Sequence, residues 1–241
     1  MRSLRIFAFG TLSALALVLP ALGETAYVAN NPPYSIEAGE QRGFCVDVID
    51  EMAKLLKTKV TLQYMGWADA QAKVVAGHDL FIFPFARTPE REPNYGWLQK
   101  LFDIEVGFFT PPGGRAIDTI EQARALPAVG VLAGSPWDKE LAKRGITSAK
   151  PYPTTPAIVA ALMSGEVAAG YAPDIEVKYA WRISGNKGAL VFGKPIQKLD
   201  QFLAMSKDSP SIKAADWQEA FNVLQQDGTF DRIYASYFGA K

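Results

Sequence analysis

An arginine in a proline-containing turn is the strongest candidate for chemistry in this sequence of 241 residues. Arg91 ends the segment Thr88-Pro89-Glu90-Arg91. A planar guanidinium binds a carboxylate through two parallel hydrogen bonds, so Arg91 could hold a small acid. The alternative is an exposed arginine in a charged turn, because Glu90 and Glu92 share its segment. The residues alone leave both interpretations open.

The second candidate is the predicted start of a helix. Ser135-Pro136 is typical of a helix N-terminus, with serine as N-cap and proline at the first helical position. Free N–H groups and the helix dipole favour an anion there, so Gly134 and Ser135 are candidate ligand contacts. Ser135 could instead only cap its own helix. If the fold has two lobes and Arg91 and Ser135 lie on opposite ones, a ligand bound by both residues would favour closure of the two lobes.

The composition excludes several classes of function. The 25 basic and 25 acidic residues balance, whereas a surface that reads phosphates needs a basic excess, so we expect no nucleic-acid partner. A single histidine, His78, and a single cysteine, Cys45, rule out disulfide frameworks and Cys/His-rich metal sites. We find neither a phosphate-binding loop nor a nucleophile elbow, and we expect no metal and no cofactor.

The first 23 residues are predicted to be a secretory signal. Arg2 and Arg5 precede an apolar run from Ile6 to Leu22, and small residues stand at Ala21 and Gly23. The run is short for a membrane span, which needs about 20 apolar residues. We therefore expect residues 1–23 to be removed and the mature chain to work in the periplasm, although an uncleaved anchor is the alternative.

Short β-like runs alternate with amphipathic helices along the rest of the chain. Strands are predicted at Ala26–Ala29, Val60–Tyr64, Leu80–Phe85, Val129–Leu132 and Val167–Ala172. Helices are predicted on the apolar face from Cys45 to Leu56, at Ala68–Ala76, after Ser135-Pro136, after Thr155-Pro156, and twice in the tail. This alternation favours an α/β fold with mostly parallel sheets flanked by helices.

Two interruptions divide the predicted fold into lobes. The segment Thr110–Gly114 contains two prolines and two glycines, which is typical of a loop or hinge, and a second crossing is expected near Lys194–Ser209. We therefore predict an N-terminal lobe of residues 24–110 with 205–241 and a C-terminal lobe of residues 111–204. Two similar units joined by two crossings describe a two-lobed clamp.

Six segments, in order, resemble the family 3 extracellular solute-binding proteins, the periplasmic receptors of polar amino-acid ABC importers. The segments are Asn31-Pro32-Pro33-Tyr34 with Gly43–Val48, Gly66-Trp67, Thr88-Pro89-Glu90-Arg91, Val129–Ser135, Gly165–Ala169, and Asp227–Gly239. The resemblance covers nearly the whole mature chain. It implies a two-lobed type II periplasmic binding fold, hinge closure around a ligand, an ABC permease partner and a monomer.

The resemblance also implies roles for single residues. In the family, the arginine of the TPER motif clamps the ligand's α-carboxylate, which points to Arg91. An acid that follows the Gly165–Ala169 segment holds the ligand's ammonium group, but the family's offset gives Pro173 here. Asp174 stands one residue later and is the candidate for that role.

Three departures from the family pattern affect the expected ligand. The segment Phe83–Arg87, which includes Ala86, lacks the hydroxyl residues that usually bind the amino-acid head of the ligand. Tyr27-Val28-Ala29 lacks the usual acid or polar group, and Asn31 takes the place of a stacking aromatic residue. An organic acid, or a ligand with an apolar body packing on Phe83 and Trp67, fits at least as well as a standard amino acid. Core packing is the alternative role for these aromatic residues.

Two other functions fit the same fold. A few relatives are periplasmic dehydratases that use a carboxylic acid in the cleft as general acid, and Asp174 or another acid in the cleft could serve. A ligand-sensing protein that docks on a membrane receptor is the other alternative. The expected function is capture of a small carboxylate-bearing solute, without enzymatic chemistry.

Overall fold

The computed structural model describes residues 23–239 of the chain. Nine strands are present: β1 Glu24–Val28, β2 Val60–Tyr64, β3 Leu80–Ala86, β4 Tyr95–Thr110, β5 Val129–Leu132, β6 Ala149–Tyr152, β7 Ala169–Pro173, β8 Val191–Phe192 and β9 Gln197–Ser206. Eight helices accompany them: α1 Phe44–Leu55, α2 Trp67–Ala76, α3 Ile120–Arg124, α4 Pro136–Lys143, α5 Thr155–Met163, α6 Asp174–Ile183, α7 Ala214–Gln226 and α8 Thr229–Phe238. The predicted signal segment lies outside the described residues except for Gly23. No helix among residues 23–239 is long and apolar enough to cross a membrane.

The front unit is built on three parallel strands. β1 pairs with β2 from Glu24↔Val60 onward, and with β3 on its other side. Most of the predicted apolar face of α1 is buried, namely Cys45, Val48, Ile49 and Met52, but Leu55 is exposed. Cys45 is unpaired, and burial raises the pKa of its thiol well above the ordinary value.

The rear unit repeats this arrangement with β5 between β6 and β7, all parallel. Helices α4, α5 and α6 pack beside these strands. Ser135 is the N-cap of α4, as predicted. The prediction for α5 is corrected by one residue: Thr154, not Thr155, is the N-cap, and its hydroxyl accepts the Ala157 N–H at 3.2 Å. Thr155 and Pro156 are already helical, which proline tolerates in a first turn.

Two long antiparallel strands join the units. β4 and β9 pair from Tyr95↔Ser206 to Val106↔Gln197. β9 also pairs with β3, while β4 pairs with β7 from Val106 onward. All strands therefore form one continuous sheet in the order β2-β1-β3-β9-β4-β7-β5-β6, with β8 beside β4. The pairing of β4 with β9 ends at Val106, where its pairing with β7 begins, and this point lies before the Pro111–Gly114 turn. The lobe boundaries at 110 and 204 stay predictions.

The tail helices pack on the front unit. α7 contacts α1 and β4, and α8 contacts α1. Trp217 of α7 packs edge-on against Phe81 at 5.0 Å between ring centroids. The buried Tyr237 hydroxyl donates to Asp47 Oδ2 at 2.7 Å and accepts the Gly43 N–H at 3.0 Å. These contacts fix the end of the chain against the start of α1. The predicted α/β class, with parallel strands flanked by helices, is confirmed.

Candidate ligand-binding cleft

A cavity of about 720 Å³ lies where the front unit, the rear unit and the two connecting strands meet. Front-unit segments after β1 and β3 line one side, and the starts of α4 and α6 line the other. Ile104 of β4 and Gln197, Leu199 and Gln201 of β9 also line it. Its lining residues are Ala29, Asn30, Asn31, Tyr34, Trp67, Pro84, Ala86, Thr88, Glu90, Arg91, Ile104, Leu132, Ser135, Pro136, Trp137, Glu140, Glu176, Gln197, Leu199 and Gln201.

Arg91 lines this cavity and is held by neutral groups. Its Nη1 donates to the Ala86 carbonyl oxygen at 2.8 Å, and its Nη2 lies 3.5 Å from Gln71 Oε1. Its Cζ lies 4.0 Å from the centroid of the Phe85 ring, which is close enough for a cation–π interaction. Partial burial lowers the pKa of Arg91 from its ordinary value.

Arg91 forms no ion pair with any acidic side chain of residues 23–239. The neighbouring Arg87 shows the contrast, since it binds both carboxylate oxygens of Glu92. A half-buried guanidinium without a counter-ion is electrostatically costly. An anionic ligand would compensate for that charge.

The start of α4 is satisfied mainly by its own residues. Ser135 Oγ accepts the Asp138 N–H at 3.2 Å, and the Ser135 N–H donates to the Leu132 carbonyl at 3.2 Å. The Gly134 N–H donates to Asp138 Oδ2 at 3.1 Å. Ser135 lines the cavity but Gly134 does not. The Gly134 and Ser135 N–H groups, which the sequence suggested as donors to an anion, are therefore already bonded within the protein.

The other predicted site residues fall into two groups. Asn31, Trp67 and Ala86 line the cavity. Phe83 and Asp174 do not: Phe83 is fully buried in the core, and Asp174 accepts the Glu105 N–H and pairs with Lys178 at 2.7 Å. Asp174 therefore ties α6 to the connecting strand β4, away from the cleft.

Glu176, which the sequence interpretation missed, is the acid that α6 places in the cleft. Residues two positions apart on a helix point about 200° apart, so Glu176 and Asp174 lie on opposite sides of α6. The Glu176 carboxylate accepts a long hydrogen bond of 3.5 Å from Thr155 Oγ1. It also interacts with the buried Tyr34 hydroxyl, which has no hydrogen bond of normal geometry. The sequence did contain a signal for this position, since a second acid, Glu176, follows Asp174 by two residues.

The surroundings of Glu176 keep its carboxyl group partly protonated near neutrality. Burial raises the pKa of Glu176 to about 7, and the negative charge of Asp174 acts in the same direction. The interactions with Tyr34 and Thr155 oppose this rise. No lysine, arginine or histidine within the described part of the chain forms an ion pair with Glu176. Glu176 and Arg91 are thus an acidic and a cationic residue of the cleft that lack an ion pair among the described residues.

The remaining polar residues of the cleft include amides, hydroxyl groups and two further acids. Of these acids, Glu90 forms no ion pair within residues 23–239 and interacts electrostatically with its neighbour Arg91. Gln197 and Gln201 project from β9, and Glu140 is paired with Arg144. Among residues 23–239, no group of three or more potential metal ligands is present. The arrangement can hold a small molecule that carries both a carboxylate and a cationic group.

Known proteins share this architecture. The family described as bacterial extracellular solute-binding proteins, family 3, matches residues 24–240. A probable histidine-binding protein of Neisseria gonorrhoeae is 22% identical over an alignment of 227 residues that covers 90% of this chain and 84% of that protein.

Two solved structures show the same fold. An ancestral cationic amino-acid solute-binding protein superposes with a TM-score of 0.74 at 19% identity, covering 89% of this chain and 96% of the other. The L-cystine solute receptor of N. gonorrhoeae, in its unliganded open conformation, superposes with a TM-score of 0.71 at 18% identity, covering 90% of this chain and 93% of the other. The fold is that of type II periplasmic binding proteins, and the chain belongs to the bacterial extracellular solute-binding proteins of family 3.

Proposed function

We propose that this protein captures a small amino acid or a related carboxylated solute in the cleft and delivers it to an ABC importer. The observation that carries the proposal is the Arg91 guanidinium, which faces the cavity without an ion pair. A bidentate bond between this group and a ligand carboxylate would neutralise a partly desolvated charge. Such charge-assisted bonds contribute roughly 1.5–3 kcal/mol each.

Glu176 favours an amino acid over a simple organic acid. A ligand ammonium group would supply the counter-ion that this carboxylate lacks. Asp174, the acid that the sequence suggested for this role, is occupied by Lys178. The similar proteins described above are named for binding histidine, cystine or cationic amino acids, which supports an amino-acid ligand here.

The position of the two charged groups supports capture by closure. Arg91 follows β3 of the front unit, and Glu176 belongs to α6 of the rear unit. A ligand that contacts both would stabilise the closed arrangement, since a ligand shifts a conformational equilibrium by its differential affinity. We expect a monomer that works in the periplasm after removal of residues 1–23.

Calorimetry of the purified mature protein against amino acids and organic acids tests the binding proposal. We expect at least one amino acid to bind with micromolar affinity or tighter. If no compound of the panel gave a binding signal in calorimetry or a thermal shift, the binding proposal would be overturned. Uptake of the radiolabelled ligand by cells lacking the gene separates import from sensing: import predicts lost uptake, whereas normal uptake favours a sensing role.

Glu176 also supports a second candidate, a dehydratase. A carboxylic acid with a pKa of about 7 suits general acid catalysis at neutral pH. Glu176 would protonate the departing hydroxyl of a hydroxy carboxylate such as prephenate, which would release water and carbon dioxide. Glu176 would then regain a proton from solvent. Turnover that is lost in Glu176→Gln would establish this activity, and unchanged substrate would remove it.

A further inference from the structure

A second cavity, of about 410 Å³, adjoins the cleft on the far side of Glu176. It lies between the segment after β1, the start of α5 and one face of α6. Asn30, Asn31, Leu132 and Glu176 line both cavities. The other lining residues are Pro32, Pro153, Thr154, Thr155, Pro156, Tyr179, Ala180 and Ile183. The two spaces are therefore neighbours that share a wall containing the Glu176 carboxylate.

The wall of the second cavity is largely apolar. Three prolines, Leu132, Ala180 and Ile183 provide aliphatic surface, and Tyr179 adds an aromatic ring. Glu176 is the only charged residue in this lining. The Ile183 side chain at the end of α6 is 55% exposed. An apolar group that entered the cavity would cover part of this side chain.

The polar groups of the second cavity are mostly satisfied within the protein. The Thr154 hydroxyl accepts the Ala157 N–H as the N-cap of α5, and the Thr155 hydroxyl donates to Glu176. Asn30 Oδ1 accepts the Glu37 N–H at 3.2 Å. The Asn31 amide and the Tyr179 hydroxyl also line it, without a side-chain hydrogen bond to another described residue. With so few polar groups, recognition there would rest mainly on shape and apolar contact.

We propose that the second cavity receives the side chain of the bound amino acid, and that this side chain is bulky, uncharged and apolar. The inference rests on the proposed function. With the carboxylate on Arg91 and the ammonium on Glu176, the ligand's amino group would lie against the wall that the two cavities share. The side chain would then enter the second cavity.

The charges in this region disfavour a cationic side chain. A distal ammonium or guanidinium group would need its own carboxylate, because burial of an unpaired charge is costly. The second cavity offers no acid besides Glu176, which is occupied by the α-ammonium group. Long cationic amino acids would therefore bind more weakly than aromatic or branched ones.

Calorimetry with four probes and three proteins tests this proposal. The probes are L-phenylalanine, L-leucine, L-arginine and L-alanine, and the proteins are the wild type, Ile183→Glu and Val75→Glu. Val75 is a matched control, because it is also an exposed aliphatic residue on a helix, but in the front unit and away from both cavities. Both substitutions are on the surface and should leave the fold intact.

We expect the wild type to bind phenylalanine or leucine about tenfold or more tightly than arginine, in line with the selectivity of apolar pockets. Ile183→Glu should weaken binding of phenylalanine and leucine about tenfold and leave alanine binding unchanged. The difference in affinity between these two probes and arginine should therefore become smaller. Val75→Glu should match the wild type.

Two results would overturn the inference while leaving the proposed function intact. One is tighter binding of arginine than of phenylalanine and leucine by the wild type. The other is an Ile183→Glu variant whose affinities for all four probes equal those of the wild type. If no amino acid binds the wild type at all, the proposed function fails and the inference fails with it.

Discussion

Arg91 and Glu176 line one cleft, and neither forms an ion pair with another of residues 23–239. Each group has neutral neighbours: a carbonyl and an aromatic ring for Arg91, hydroxyl groups for Glu176. Placing charges in such surroundings is unfavourable without a ligand, which supports our proposal that these residues bind one. A zwitterion that satisfied both would recover the lost electrostatic energy.

The pH dependence of stability tests the environment of Glu176. Its pKa is raised to about 7 in the folded protein from an ordinary value of 4.5. The folded state therefore binds more protons than the unfolded state between these values, and stability falls as pH rises through this window. We expect the ligand-free protein to lose at most about 3 kcal/mol from this group between pH 4.5 and pH 8. Urea denaturation at several pH values measures the change.

Glu176→Gln is the matched variant for this measurement. It keeps the shape of the side chain but removes the titration, so the stability loss above pH 5 should shrink. Affinity for a ligand with an ammonium group should rise with pH in the wild type and stay nearly constant in Glu176→Gln. Identical pH profiles for the two proteins would show that Glu176 does not titrate in this range.

The sequence indicated Arg91 but not Glu176 among the residues that line the cleft. The TPER motif is local, so its arginine could be recognised from neighbouring residues. The position of Glu176 depends on which side of α6 faces the cleft. That side is set by the packing of the rear unit against the front unit, which one sequence does not display. Asp174, the nearest acid to the family's position, points to β4 instead.

At the scale of elements, strands with regular patterns were predicted well and irregular ones were not. β2 and β5 match their predicted bounds, since β2 alternates apolar and polar residues and β5 is a short apolar run before Gly134. β4 and β9 were missed as strands. Their pairing shifts register between Trp97 and Gln99 and again between Lys100 and Phe102, which breaks the alternation of buried and exposed residues. Their length reflects their role in joining the two units.

The attachment of α8 to α1 can be tested with Tyr237→Phe. This change removes the hydroxyl that donates to Asp47 and accepts the buried Gly43 N–H. An unsatisfied buried donor costs about 1–3 kcal/mol, so we expect a loss of that size in the free energy of unfolding. Chemical denaturation measures it.

Tyr27→Phe is the control for this prediction. The Tyr27 side chain packs in a separate front-unit cluster, and its hydroxyl makes no hydrogen bond with the described residues. Its loss should change stability by less than about 0.5 kcal/mol. Equal effects of the two substitutions would mean that the hydroxyl of Tyr237 does not fix α8.

At the scale of the whole molecule, binding and stability are linked through the cleft. A ligand that binds only the folded protein stabilises it by about 2.7 kcal/mol at a concentration of one hundred times Kd. Because the ligand contacts both units, we also expect a smaller radius of gyration in its presence. Denaturation with and without ligand, together with small-angle X-ray scattering, measures both effects. Stabilisation without any compaction would contradict closure around the ligand.

The most direct test of the central claim is calorimetry on Arg91→Ala beside Arg87→Ala. The two arginines are four residues apart, but Arg87 is paired with Glu92 outside the cavity. We expect Arg91→Ala to weaken ligand binding by about 2–5 kcal/mol, because it leaves the ligand carboxylate unpaired, with little change in folding stability. Arg87→Ala should bind like the wild type. Unaltered affinity in Arg91→Ala would contradict the account.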